Sequence, residues 1–196
     1  MSGLVYVFTG EGKGKTSAAL GVAVRSLLNN EKVGWISFYK QETWGIAEAK
    51  LKNKFANLEM YFVGKGFRIT KYDKKLMKAE KELKLASVGN GAKVVDTASE
   101  DEHKEAARMG IEIAKQMIDK KPFLVVLDEI INAIDEGLVD EQILLDLIAQ
   151  RGEVNLVLTG RGISKKVKQA SDLATECKKI KHPFDLGRMA VKGLDY

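Results

Sequence analysis

The sequence predicts an α/β domain built on a mostly parallel sheet with helices on both faces. Three observations carry this. Short β-rich apolar runs alternate with amphipathic stretches along the chain. A glycine-rich segment sits between the first such run and the first helical pattern. The run Phe123-Leu124-Val125-Val126-Leu127 is apolar at every position, as a strand covered on both faces must be.

Taken in order, Leu4-Val5-Tyr6-Val7-Phe8 reads as the first strand. Ala18 to Leu28 follows as a helix, because Ala19, Leu20, Ala23, Val24, Leu27 and Leu28 recur at helical spacing. Val33 to Tyr39 is a second strand, Thr43 to Phe55 a helix and Leu58 to Val63 a third strand. Lys71 to Ala86 is a polar helix candidate, ended by Gly89-Asn90-Gly91, residues that tolerate positive φ. From Glu105 to Ile118 the residues Ala107, Ile111, Ala114 and Ile118 form one apolar stripe, and Pro122 closes it before the strand Phe123 to Leu127. A helix over Asp140 to Gln150, a strand over Val154 to Thr159, a short helix near Ser164 to Ala170 and a strand over Thr175 to Ile180 complete the series. No linker or repeat divides the chain, so residues 1–196 are expected to form one domain, with a Lys-rich insertion around 64–95.

Composition narrows the function classes. A chain of 196 residues buries roughly 70% of its unfolded surface and needs no staples. The lone Cys177 forms no internal disulfide, and no Cys/His cluster has metal-ligand spacing. No apolar run reaches the roughly 20 residues of a membrane-crossing helix, and the N-terminus has no signal-peptide pattern. A cytoplasmic protein without a membrane partner is expected. The net charge is +5, and the window from Lys40 to Lys93 holds twelve lysines, Arg68 and only six acids. Those lysines are interleaved with Glu80 and Glu82 and lack stacking aromatics, the pattern of a solvated helix face rather than a nucleic-acid site.

Chemistry concentrates first in Thr9-Gly10-Glu11-Gly12-Lys13-Gly14-Lys15-Thr16-Ser17. Lying between a strand and a helix, this segment has the context of a phosphate-binding loop. Glycines let the backbone approach phosphate oxygens, the unpaired N–H groups of the helix start face the anion, and Lys15 adds a full charge. Thr16 or Ser17 offers a hydroxyl to Mg²⁺, which prefers oxygen ligands. Gly10 and Gly14 enclose three residues where the common pattern has four.

Asp128 and Glu129 follow the buried strand and should emerge at its carboxyl end, where open parallel sheets collect ligands, as a second phosphate–metal element. Arg161, in Thr159-Gly160-Arg161, ends the next strand on the same edge and has the fork geometry for phosphate. His103, among charges, reads as a surface residue, and His182 as structural.

Read together, these motifs resemble the P-loop ATP:corrinoid adenosyltransferases. The resemblance rests on Thr9 to Ser17 with Ala18, Ala19 and Arg25, on Phe38, Lys40, Trp44 and Glu48, and on Leu127-Asp128-Glu129. It continues through Thr159-Gly160-Arg161, Ala170 to Glu176, Lys181-His182-Pro183-Phe184 and Gly193-Leu194-Asp195-Tyr196. The short glycine spacing is itself a family feature. The resemblance implies a P-loop NTPase, RecA-like architecture and transfer of the 5′-deoxyadenosyl group of ATP to the cobalt(I) of a reduced corrinoid, with triphosphate leaving. It also implies a homodimer, Mg²⁺ held by Thr16 and Glu129 with Asp128 adjacent, and triphosphate charge taken up by Lys13, Lys15, Arg25 and Arg161. The chain departs from the family at Glu11, where Asn is common, and at Gly66-Phe67-Arg68-Ile69, where Gly-Phe-Thr-Trp is usual. An insertion also delays Asp96-Thr97. Two other readings of the loop are an ATPase or kinase in which Glu129 orients the attacking group, and a nucleotide- or corrinoid-binding protein without transfer activity.

Overall fold

The computed structural model describes residues 2–65, 98–188 and 190–195. The helix expected over Lys71 to Ala86, its Gly89-Asn90-Gly91 end, the Gly66 to Ile69 segment and Asp96-Thr97 lie outside the described residues.

Six strands form one all-parallel sheet: β1 (Val5–Thr9), β2 (Val33–Ser37), β3 (Leu58–Phe62), β4 (Leu124–Asp128), β5 (Asn155–Thr159) and β6 (Leu173–Glu176), in the order β3-β2-β4-β5-β1-β6. Helices α1 (Lys15–Leu28), α2 (Glu100–Asp119), α3 (Ile130–Asp135), α4 (Glu141–Gln150) and α5 (Lys165–Gln169) cover it. Side chains alternate across the pleat and so split the core in two. Val5, Val7, Val125, Leu127, Leu156 and Leu158 pack with residues of α2, α3 and α4. Tyr6, Phe8, Leu124, Val126 and Val157 pack with Ala19, Ala23 and Leu27 of α1. This is the three-layer α/β architecture expected, with helices on both faces of a parallel sheet, in which β5 separates the strand that feeds the glycine-rich loop from the strand that ends in acid.

Several elements differ from expectation for local reasons. Thr43 to Phe55 is no α-helix; it forms two 3₁₀ segments, Glu42–Trp44 and Ala47–Asn53, broken where Gly45 takes φ 65° and Ile46 is extended. The last strand is Leu173–Glu176 rather than Thr175 to Ile180, because the backbone leaves the sheet at Cys177 to meet the glycine-rich loop. Helix α2 starts at Glu100, upstream of Glu105, on a capping box. The Ser99 hydroxyl accepts from the Glu102 N–H, and the Glu102 carboxylate accepts from the Ser99 N–H. That extra turn continues the apolar stripe one step upstream of Ala107. His103, expected at the surface, is therefore buried at 4% exposure.

Register aligns the carboxyl ends of four neighbouring strands. Ser37 of β2 stands beside Asp128 of β4, and Phe8 of β1 beside Thr159 of β5. The chemistry described below is built on this edge.

Candidate active site

The loop after β1 is shaped by two glycines with different reasons to be glycine. Gly14 takes φ 112° as the residue before α1, a conformation that side chains resist. Gly12 donates its N–H to the Cys177 carbonyl at 2.6 Å, so close that an added Cβ would meet the same oxygen. Helices α2, α4 and α5 have side-chain caps from Ser99, Asp140 and Ser164, whereas α1 has none and no acid in its first turn. Its N–H groups at the loop are left for an anion. Lys15 folds back over the loop, donating to the carbonyls of Gly10 at 2.7 Å and Gly12 at 2.8 Å. Burial and the neighbouring Arg161 cation lower its pKa below the ordinary lysine value.

Asp128 is the hub of the strand-end edge. One carboxylate oxygen accepts from the Thr16 hydroxyl at 2.9 Å and the Thr159 hydroxyl at 2.8 Å. The other accepts from the Ser37 hydroxyl at 3.2 Å and lies 3.1 Å from the Lys40 ammonium. Wholly buried and with all its partners in place, Asp128 has no face left for direct metal contact. It orients Thr16, whose hydroxyl keeps its lone pairs for a cation.

Glu129 is the opposite case. The chain turns sharply there, with φ 67° for a non-glycine residue, held by its N–H donating to the Thr159 hydroxyl at 2.8 Å. Its carboxylate lines the cavity, and Oε2 is shut off from solvent with no hydrogen-bond partner. Burial, then the Asp128 charge, push its pKa up to about 8. A buried oxygen without a donor is costly unless a cation meets it, so Thr16 and Glu129 fit a Mg²⁺ ion here, with Asp128 behind them.

These groups face an open cleft of about 1220 Å³, larger than the roughly 300–1,000 Å³ of ordinary small-molecule sites. The loop from Glu11 to Ser17, Lys40, Glu48, Glu129 and Arg161 form its polar half, and Leu20, Val24, Ala47 and Leu51 an apolar flank. Thr9 lies beneath the loop, its carbonyl accepting from the Cys177 N–H at 2.7 Å. Arg161 reaches the mouth, 3.5 Å from Glu11, with its own N–H fixed by Asn132. Lys13 pairs with Asp195 from the C-terminal segment.

Arg25 is the exception among the expected residues. It lies in the last turn of α1, ten residues beyond Lys15, and borders a separate groove with Leu4, Tyr6 and Asn155 at the opposite end of the helix. An α-helix rises about 1.5 Å per residue, which puts roughly 15 Å between the two positions, so Arg25 is not brought to the phosphate loop.

Over residues 1–196 the sequence matches the family described as ATP:corrinoid adenosyltransferase BtuR/CobO/CobP. The chain belongs to this family. Curated relatives named corrinoid adenosyltransferase include one from Pseudomonas aeruginosa, 29% identical over 99% of this chain and 84% of its own length. Another, from Escherichia coli (strain K12), is 29% identical over 99% and 86%. Among solved structures, the flagellar accessory protein FlaH from Methanocaldococcus jannaschii gives a TM-score of 0.48 at 13% identity, over 89% of this chain and 70% of that one. Membership in the ATP:corrinoid adenosyltransferases makes the protein a transferase of the corrinoid-adenosylating class.

Some residues at this site had no role assigned from sequence, although Lys40, Thr159, His182 and Asp195 are among those that carry the family resemblance. Ser37, Thr159 and Lys40 bind Asp128, while Lys179, His182 and Asp195 line the cleft. The rule that found Asp128, that ligands gather beyond the carboxyl ends of parallel strands, applies equally to Ser37 and Lys40 after β2.

Proposed function

We propose that the protein transfers the 5′-deoxyadenosyl group of Mg²⁺-ATP to the cobalt(I) of a reduced corrinoid. The observation that carries this is the meeting, in one cleft, of an uncapped glycine-rich helix start, the Thr16–Asp128 pair and the orphaned Glu129 oxygen. Cobalt(I) is already a strong nucleophile, so no side chain has to remove a proton. Its electron pair forms the bond to the 5′-carbon, the 5′-carbon–oxygen bond breaks, and triphosphate leaves with that bond's electrons.

The residues supply position and charge. Loop N–H groups and Lys15 bind the phosphate chain, with Lys13 and Arg161 at its mouth adding positive charge as the triphosphate departs. Thr16 and Glu129 hold Mg²⁺, which neutralises phosphate charge when bound. Asp128 fixes the Thr16 hydroxyl. The same proposal includes a homodimer in the cytoplasm; among the described residues no helix is long and apolar enough to cross a membrane.

The decisive test mixes the protein anaerobically with Mg²⁺-ATP and chemically reduced cob(I)alamin. A light-sensitive alkylcobalamin spectrum with stoichiometric triphosphate is expected. ADP or phosphate without a cobalt–carbon bond would instead select an ATPase or kinase. Lys15→Ala should abolish ATP binding while the fold is retained, and an unchanged affinity would remove the phosphate role from that residue.

A further inference from the structure

Lys40 lies three residues beyond the end of β2, with only 13% of its side chain exposed. Its ammonium is 2.8 Å from Oε1 of Glu48 and 3.1 Å from Oδ2 of Asp128. Burial by itself would lower its pKa, but the carboxylates of Asp128, Glu48 and Glu129 overcome that and hold it above the ordinary lysine value. A cation partnered by two carboxylates has little charge to spare for a phosphate. What it does have is two attachments on different parts of the fold. Asp128 belongs to the strand edge that orients Thr16, and Glu48 belongs to the 3₁₀ segment Ala47–Asn53, whose Ala47 and Leu51 form the cleft's apolar flank.

Elsewhere that segment lies against β3 and has no fully buried residue. Leu51 packs with the α1-side core, and Lys52 pairs at the surface with Glu42. Short 3₁₀ turns have poor hydrogen-bond geometry and contribute little rigidity of their own. The buried bond from Lys40 to Glu48 is the charged link between this wall and the strand ends, and a charge-assisted bond of low exposure is strong enough to set position.

We propose that Lys40 is a positioning residue which, by bridging Asp128 and Glu48, sets the Asp128 carboxylate on the Thr16 hydroxyl and fastens the Ala47–Asn53 wall to the Mg²⁺-ATP site. The inference rests on the reading that Mg²⁺-ATP binds on the Thr9 to Ser17 loop. Without the ammonium, the Asp128 and Glu48 carboxylates are left uncompensated. Asp128, still held by three hydroxyls, then loses the ionic partner that steadies its Oδ2, and Glu48 swings to solvent, taking the wall with it.

The test uses the full chain and two readouts other than turnover: ATP affinity by titration calorimetry with Mg²⁺ and with EDTA, and hydrogen exchange over residues 47–53. For Lys40→Met, ATP binding in EDTA should fall far less than for Lys15→Ala, because Lys15 and the loop are untouched. The gain in affinity that Mg²⁺ confers should fall by about tenfold or more, as for other groups that orient metal ligands. Exchange over 47–53 should quicken by about tenfold, as expected when a charge-assisted bond is lost.

If either readout stays at its wild-type value in a folded variant, the bridging role is overturned. A collapse of EDTA-phase binding to the level of Lys15→Ala would overturn it as well, by making Lys40 a direct phosphate ligand. Should Lys40→Met not fold, Glu48→Gln decides: exchange over 47–53 should quicken while the Mg²⁺ gain is retained, and unchanged exchange sinks the proposal. Wild-type protein that binds no ATP under any condition would remove the nucleotide reading itself, and the exchange measurement would still judge the latch.

Discussion

Asp128 and Glu129 are adjacent acids with opposite circumstances, and one prediction turns on the difference. Asp128 is surrounded by donors, whereas Glu129 has an oxygen that nothing meets and a pKa pushed from the ordinary 4.5 up to about 8. Between those values the native ligand-free state holds a proton that the unfolded chain has released. The contribution of this group to stability is therefore full below about pH 4.5 and is lost as pH rises toward 8. Glu129→Gln removes the titration, so the stability of the variant relative to wild type should increase across that window. Melting temperatures of both proteins at several pH values test this, and parallel curves would show that the carboxyl is not held in its neutral form. The two acids were legible in the sequence because they end an all-apolar run. Lys40 carries part of the family resemblance, but its role was not legible, since it belongs to a lysine-rich window whose composition points to solvent, and only the fold puts its ammonium against Asp128.

At the level of elements, the first five parallel strands were readable within a residue or two because each is a largely apolar run, while the sixth, exposed at every position, and the helix starts and short connections were not. Periodicity puts the beginning of α2 at Glu105, but hydrogen bonding puts it at Glu100, where Ser99 and Glu102 satisfy each other's backbone donors. The pair Ser99-x-x-Glu102 is itself a sequence signal for a helix start. Thr43 to Phe55 misled because its spacing of Ile46, Leu51 and Phe55 suits a helix, yet Gly45 interrupts it in the left-handed region. The cap has a measurable consequence. Helix α2 covers one face of the sheet through Ala107, Ile111, Ala114 and Ile118, so fraying its first turn loosens the turn that buries His103. Ser99→Ala should lower unfolding stability by about 1 kcal/mol. Urea unfolding is the measurement, and a midpoint equal to wild type at the same m-value would show that the box does not hold the helix.

Across the whole molecule, the two ends of the chain meet at the site. After β6 the backbone at Cys177 clasps Thr9 and Gly12, and the segment beyond it crosses the cleft, where Lys179, His182 and Asp185 line the opening and Asp195 pairs with Lys13. A carboxylate on a phosphate-loop lysine occupies the charge that a departing or arriving polyphosphate needs, so the C-terminal segment competes with the ligand's own anion. Asp195 is also tied locally, accepting from the Val191 N–H at 2.7 Å, which keeps its carboxylate at the loop. Replacing it by Asn preserves a group able to accept that bond while removing the charge. Asp195→Asn should therefore bind inorganic triphosphate about two- to fivefold more tightly, the range available from an exposed ion pair, and the gain should shrink as salt screens it. Titration calorimetry with triphosphate at low and moderate ionic strength measures both. Equal or weaker binding by the variant would mean that Lys13 reaches the phosphates without giving up Asp195, and that the C-terminal segment contributes to the bound state rather than opposing it.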